Sequence, residues 1–375
     1  MINTLLSLTD FRNHHQTDVT WGEHVNVITG PNGAGKTNLI DALHYLCMGR
    51  SFTSSSDMYV VRQDASAFLV KGHFQGRIRS AFELACSYSR GDGKKLWVND
   101  SPLERHADLI GLVPVVLVSP NDRKLTGEGP AERRSFLDAL ISQTSPSYLD
   151  DLIRYRKIVR QRNRLLSEMH LTPSELVLML EPWERQLVDT GSRIVARRAK
   201  LIGQFQSYLE KAHRELAGSG LVPAITYKTF CETANTDAIQ TAYRERLRST
   251  AERERERGQT LIGPHRDELV FYLNDMELRK FGSQGQHRIF ALALKMAQLY
   301  FYNDELEDLP VFLLDDVFGD LDPKRTETVM QMLLQHKGQS FLTAAHPDKI
   351  SGFATAGRDR IASYSVNDGR VEQIK

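Results

Sequence analysis

The segment HVNVIT-GPNGAGKT-NLIDALHYLCMG, residues 24–49, constrains this chain more than any other stretch. HVNVIT alternates apolar and polar residues as a strand does, and Leu39, Ile40, Leu43, Leu46 and Cys47 recur at helical spacing after it. Strand, glycine-rich loop and helix in that order make a phosphate-binding loop. Gly30, Pro31, Asn32, Gly33, Ala34 and Gly35 wrap backbone N–H groups around an anion at a helix start, with Asn38 in the first helical turn. Lys36 is placed to reach β- and γ-phosphates, and the Thr37 hydroxyl to hold Mg²⁺. An α/β fold that takes a nucleotide's phosphates with Mg²⁺ is the expectation.

A second run, PVFLLDD at residues 310–316, is continuously apolar and ends in two carboxylates. Such a run suits a strand buried between helices in a parallel sheet, whose carboxyl end faces ligand. Asp315 then falls where a Mg²⁺-linked carboxylate belongs, and Asp316 is placed to polarise an attacking water; taken alone, "DD" would merely cap a strand. In GDLDPKR, Asp322 is an N-cap and Pro323 the first helical residue. SFLTAA, another apolar strand, ends at His346. In FGSQGQHRIFALALKMAQLY, residues 281–300, Ser283 and Gln286 form an S-x-x-Q capping box before a helix carrying Ile289, Leu292, Met296 and Leu299 on one face. Read locally this is a well-made helix start, and it also presents free N–H groups to an anion.

Composition narrows the class. With 48 basic and 47 acidic residues in 375, the net charge of +1 announces no polyanion, so any nucleic-acid contact has to come from local patches. Cys47, Cys86 and Cys231 form no CxxC pair and suit a reduced cytoplasm. The longest apolar run, LVPVVLV at residues 112–118, is too short to span a membrane, and the start lacks a basic n-region, so neither export nor insertion is expected. Residues 49–102 read as β-rich, with RGDGKK as a hairpin turn, and residues 119–258 as mainly helical around a strand-like LVPAITY. The ERERERG run reads as a solvated helix with Glu252, Glu254 and Glu256 facing water. Arg156, Arg160 and Arg164 line one helix face with Lys157 beside them, either a phosphate track or a salt-bridged solvent face; Arg133, Arg134, Arg197 and Arg198 are further basic candidates.

The order of phosphate loop, late SQGQ helix start, LLDD strand, GDLD turn and final strand ending in His resembles the ABC-type ATPases. DFRN, GPNGAGKTNLIDAL, SPNDRKLTGEGPAERRSFLD, YRKIVRQRN, GPHRDEL, GSQGQHRIFALALK and LLDDVFGDLD, spread from Asp10 to Asp322, resemble the RecF family of bacterial recombination-mediator ATPases. PAERRSFLD does not belong to transporter ATPases. The resemblance implies a P-loop ABC-type ATPase head, a mixed sheet with an antiparallel β subdomain, over residues 1–118 and 259–375. A largely helical second lobe over residues 119–258 interrupts it. It implies an ATP-dependent homodimer in which Ser283, Gln284, Gly285 and Gln286 complete the partner's ATP site, with slow hydrolysis. Arg12 would lie at the nucleotide, an exposed turn residue being the other reading, and His346 would sense the γ-phosphate. Single- and double-stranded DNA, with gaps or junctions, would be held by the dimer and released on hydrolysis. RecR and RecO would cooperate in loading RecA during replication, recombinational repair and the SOS response, in the cytoplasm at the nucleoid and without a membrane. Asn121, Gly319 and Asp320 depart from the family pattern, and Asp316 is one methylene shorter than the Glu of transporters. The rival readings are a transporter's nucleotide-binding subunit and a nucleotide-binding scaffold without useful hydrolysis.

Overall fold

Three apolar runs that are far apart in sequence meet in one parallel sheet. The computed structural model describes residues 1–168, 172–233, 235–345 and 358–374, the side chains of Asp320 and Arg358 excepted. In chain order, β1 (Ile2–Phe11), β2 (His14–Thr20) and β3 (Val25–Thr29) lead into α1 (Lys36–Met48). Strands β4 (Ala67–Gln75), β5 (Phe82–Ser89), β6 (Gly93–Val98), β7 (Ser101–Pro102) and β8 (Val115–Val118) follow. Helices α2 (Arg123–Gly127), α3 (Pro130–Thr144), α4 (Pro146–Leu166) and α5 (Pro173–Ala217) precede β9 (Pro223–Lys228) and α6 (Thr236–Arg257). Then come β10 (Glu268–Leu273), β11 (Met276–Glu277), α7 (Leu278–Phe281) and α8 (Gln284–Glu305). The chain closes with β12 (Val311–Leu314), α9 (Pro323–Gln335), β13 (Ser340–Ala344), β14 (Ile361–Asn367) and β15 (Arg370–Ile374).

Contacts divide the chain into two units. The first comprises Met1–Asp122, Glu215–Gly218 and Leu292–Lys375. Its nucleotide sheet has the order β15-β14-β3-β13-β12-β8, parallel except for β15, and every residue of β3, β12 and β13 is buried. That explains the continuous apolar run of β12, whereas β3 and β13 also bury Asn26, Thr29, Ser340 and Thr343. A second sheet, β2-β1-β4-β5-β6-β7, is wholly antiparallel, with RGDGKK at its β5–β6 hairpin. The core of this unit gathers Leu39, Ile40, Leu43 and Leu46 of α1 with Leu6, Phe11, Phe68 and Val70 of the antiparallel sheet and Ile28 and Leu313 of the parallel one. Asp322 caps α9, its carboxylate accepting from the Arg325 N–H (3.0 Å), and Pro323 opens the helix as the sequence predicts.

The second unit, Arg123–Arg214 with Ser219–Ala291, is helical around a small sheet of order β11-β10-β9. The expected return to the head at 258/259 differs from the contact division at Leu292, for a physical reason: β10 pairs antiparallel with β9 from Glu268↔Lys228 to Leu273↔Pro223. GPHRDEL and the SQGQ helix start therefore count with the helical unit. The reading of ERERERG as wholly solvated is corrected. Glu254 is fully buried and accepts from Arg162 (2.6 Å) and from the Leu261 N–H (2.7 Å), and Arg162 also binds Glu184 (2.8 Å).

Candidate nucleotide-binding site

Strand β3 delivers the chain into the loop under tight steric control. Gly30 has φ +149°, and a Cβ there would lie 2.2 Å from the Val366 carbonyl oxygen of β14, so only glycine admits that strand. Gly35, with φ +115°, precedes α1, and its Cβ would strike the Asn13 side chain at 2.7 Å and His14 Nε2 at 2.9 Å. No side chain caps α1, which leaves the N–H groups of Lys36 and Thr37 to an anion, while that of Asn38 donates to the Gly35 carbonyl (3.0 Å).

Lys36 Nζ donates to the Gly30 and Pro31 carbonyls (2.7 and 2.9 Å), which holds the ammonium within the loop. Burial pushes its pKa down, opposed by the charges of Asp316 and Asp315. The Thr37 hydroxyl donates to Asp315 Oδ1 at 2.8 Å, and Thr343 of β13 donates to the same oxygen at 2.9 Å. Thr343 Oγ1 in turn accepts from the Asp316 N–H (2.8 Å). Burial raises the Asp315 pKa; the two hydroxyls counteract this, and the negative charges of Asp316 and Asp41 add to it. A buried carboxylate next to a hydroxyl is an oxygen set that suits Mg²⁺, which takes one or two protein oxygens and completes its shell with phosphate and water. Among the described residues no group of three His, Cys, Asp or Glu side chains is arranged for a resident metal. Were the ion to bind here, Thr37 and Asp315 are the oxygens that would hold it, and its chemistry would be to neutralise phosphate charge. Asp316 is exposed, in left-handed backbone at φ +49°.

Arg12 is more than an exposed turn residue. At φ +58° its N–H donates to the Val60 carbonyl (2.8 Å), and its guanidinium binds Asp41 (3.2 Å), Ser51 (3.1 Å), Thr53 and the Tyr59 carbonyl (3.0 Å). Asp41 is buried on α1, one turn beyond Thr37, so the β1–β2 corner is fastened to the helix that carries the loop. Sequence reasoning missed the rest of the brace. Asn13 donates to the Ala34 carbonyl (3.0 Å) and accepts from Asn38 (2.7 Å), turning Asn38 toward the brace. Buried His14 spans the Gly35 and Gly369 carbonyls (3.2 and 2.9 Å), and the Gly369 N–H donates to Ala34 (3.0 Å). The DFRN signature pointed at Asn13; nothing local pointed at His14 or Thr343.

In the helical unit the capping box is present as expected. The Ser283 N–H donates to Gln286 Oε1 (2.8 Å), and the Gln286 N–H donates to Ser283 Oγ (3.3 Å). Ser283, Gln284 and Gly285 are exposed. His346 lies outside the described residues. Among those described, no helix is long and apolar enough to cross a membrane.

This sheet, loop and LLDD strand define a P-loop ATPase head of the ABC/SMC type. Residues 2–363 match the family model described as RecF/RecN/SMC N terminal domain. The DNA replication and repair protein RecF of Salinibacter ruber is 42% identical over 353 residues, 92% of this chain and 85% of that protein. Its counterpart in Chlorobium phaeobacteroides is 36% identical over 367 residues, 97% and 98% of the two chains. A solved structure of the recombination mediator protein RecF-ATP of the RecFOR pathway superposes with a TM-score of 0.90 at 28% identity, covering 100% of this chain and 98% of that one. An Smc head domain with an extended coiled coil from Pyrococcus furiosus shares the fold at 14% identity and a TM-score of 0.59. The chain belongs to the RecF family.

Proposed function

We propose that this chain is an ATP-operated DNA clamp of recombinational repair. The observation that carries the reading is the pairing, in one chain, of a nucleotide cradle with an exposed, self-capped helix start at Ser283. The Ser283–Gln286 box leaves early N–H groups of α8 directed outward, and such a helix end takes an anion. A second copy supplies that anion as the γ-phosphate of its own ATP, so two heads close on two nucleotides. Lys36 then binds the β- and γ-phosphates, Thr37 and Asp315 hold Mg²⁺, and Asp316 orients the water that attacks. Arg12, Asn13 and Asn38 keep the loop and α1 in register, and His346 senses the γ-phosphate. The closed dimer holds DNA at a gap or a single-strand/double-strand junction, and hydrolysis releases it. RecR and RecO act with the loaded dimer to place RecA.

The test is sedimentation of the purified chain with Mg²⁺ and ATP. A monomer without nucleotide and a dimer with it are expected, whereas Ser283→Arg binds ATP and stays monomeric. A dimer of Ser283→Arg with ATP would remove the proposed lid.

A further inference from the structure

Three motifs that the nucleotide chemistry leaves unused, PAERRSFLD, YRKIVRQRN and GPHRDEL, converge on one cleft of about 220 Å³ in the helical unit. Its walls include Arg134, Ser135 and Asp138 of α3, Arg156 of α4, Arg198 of α5 and His265.

The floor is fully bonded. Arg198 is buried and donates to Asp138 (2.7 Å), the Tyr148 hydroxyl (3.0 Å) and the Pro264 carbonyl (2.7 Å), with Asp267 at 3.5 Å. His265 is fixed between the Tyr155 hydroxyl (2.8 Å) and the Thr260 carbonyl (3.0 Å), and burial lowers its pKa to about 4, so the ring is neutral and structural. The upper wall differs. Half-buried Arg134 donates to one backbone oxygen, the Asp267 carbonyl (2.8 Å), and to no carboxylate among the described residues. Its guanidinium has five N–H donors, so most of the fork is left for a ligand. Burial and the adjacent Arg198 charge push its pKa down, against the opposing charges of Asp267 and Asp138. Arg156, 62% exposed at the mouth, shares Asp138 at 3.2 Å. Three arginines thus face two carboxylates, Asp138 and Asp267, leaving an excess of positive charge.

The excess continues outward. Lys157, Arg160 and Arg164 are exposed on α4 and have no ion pair among the described residues. From Arg156 to Arg164 the row rises about 12 Å along the helix. A repeating row of cations suits a repeating anion, and planar guanidinium forks suit phosphate.

We propose that this cleft seats one phosphodiester of DNA, held by Arg134 and Arg156 over the Arg198 floor, with Arg160 and Arg164 following the neighbouring phosphates. The proposal rests on the DNA-clamp reading and names where that clamp grips. Arg134 is the specific anchor and the α4 row the electrostatic track.

The experiment measures anisotropy of labelled gapped DNA with the full chain, Mg²⁺ and ATP, over salt from about 0.05 to 0.2 M. Arg134→Ala with Arg156→Ala is expected to lower the log–log salt slope by about two. It should also weaken binding about 100-fold, roughly tenfold for each charge-assisted contact. ATP binding and ATP-induced mass stay unchanged. Arg134→Lys keeps the slope and loses about tenfold through its missing fork. Ser135→Glu, at an exposed position, is expected to weaken DNA binding without disturbing the fold, and Arg185→Ala on exposed α5 surface to do nothing. Wild-type slope and affinity in the folded double variant and in Ser135→Glu would overturn the seat while leaving the clamp standing. DNA binding retained with loss of an acidic protein partner would overturn it in favour of a peptide site. A wild-type chain that ignores DNA sinks both readings.

Discussion

In the nucleotide unit a buried carboxylate, Asp315, is held by two hydroxyls, whereas in the helical unit buried Arg162 and Arg198 are each met by carboxylates. Both arrangements bury charge, which is costly unless it is compensated. Glu254 and Arg162 compensate each other, so their role ends with the fold. Asp315 instead has hydroxyl partners, and burial together with the charges of Asp316 and Asp41 raises its pKa. The contrast separates buried charges met by an opposite charge from a buried carboxylate held only by hydroxyls.

The largest effect should come from breaking the compensated pair. Glu254→Ala leaves Arg162 buried with Glu184 alone and is expected to cost about 3–5 kcal/mol in urea unfolding. A loss below about 1 kcal/mol would mean that the pair is only a surface bridge. Lys36→Met takes a charge from the ligand-facing unit, and ATPase turnover should fall by about 10²–10³ with little change in the unfolding midpoint. Equal losses of turnover and stability would erase the distinction between the units. Asn13→Ala removes the brace between Ala34 and Asn38, and ATP should bind about fivefold more weakly, roughly 1 kcal/mol, by titration calorimetry.

The smallest effect carries the sharpest sign. The Asp315 pKa is raised in the folded chain, so protonation favours folding, and the ionised carboxylate is a liability that disappears as pH falls through the folded pKa. Without Mg²⁺, Asp315→Asn should therefore raise the melting temperature at about pH 7 by on the order of 2 °C, the gain fading on acidification. Adding Mg²⁺ with nucleotide should stabilise the native chain more than this variant. A variant less stable than native at neutral pH, metal-free, would show that Asp315 is a structural acceptor.

What was legible in the sequence follows from how far each interaction reaches along the chain. The phosphate loop, the LLDD strand, the Asp322 cap and the Ser283–Gln286 box are local patterns, and each stands where its residues predict. The P-loop head with an antiparallel sheet and a largely helical lobe was also readable, because strand and helix periodicities change along the chain. Glu254 was misread because ERERER has no apolar marker and its partner, Arg162, lies 92 residues away. His14 meets Gly369 across 355 positions, which no local window contains. The β9–β10 pairing was not legible for the same reason: strand pairing is a tertiary choice that residue composition does not announce.

The central claim is that the Ser283 helix start serves the nucleotide of a second copy. Mixing Lys36→Met with Ser283→Arg, each inactive alone, tests it most directly through ATPase activity. A mixed dimer contains one site in which an intact phosphate loop meets an intact helix start, so activity well above that of either variant is the expected result. Activity that stays at the level of the separate variants, across protein concentrations at which the native chain dimerises, would contradict a shared site.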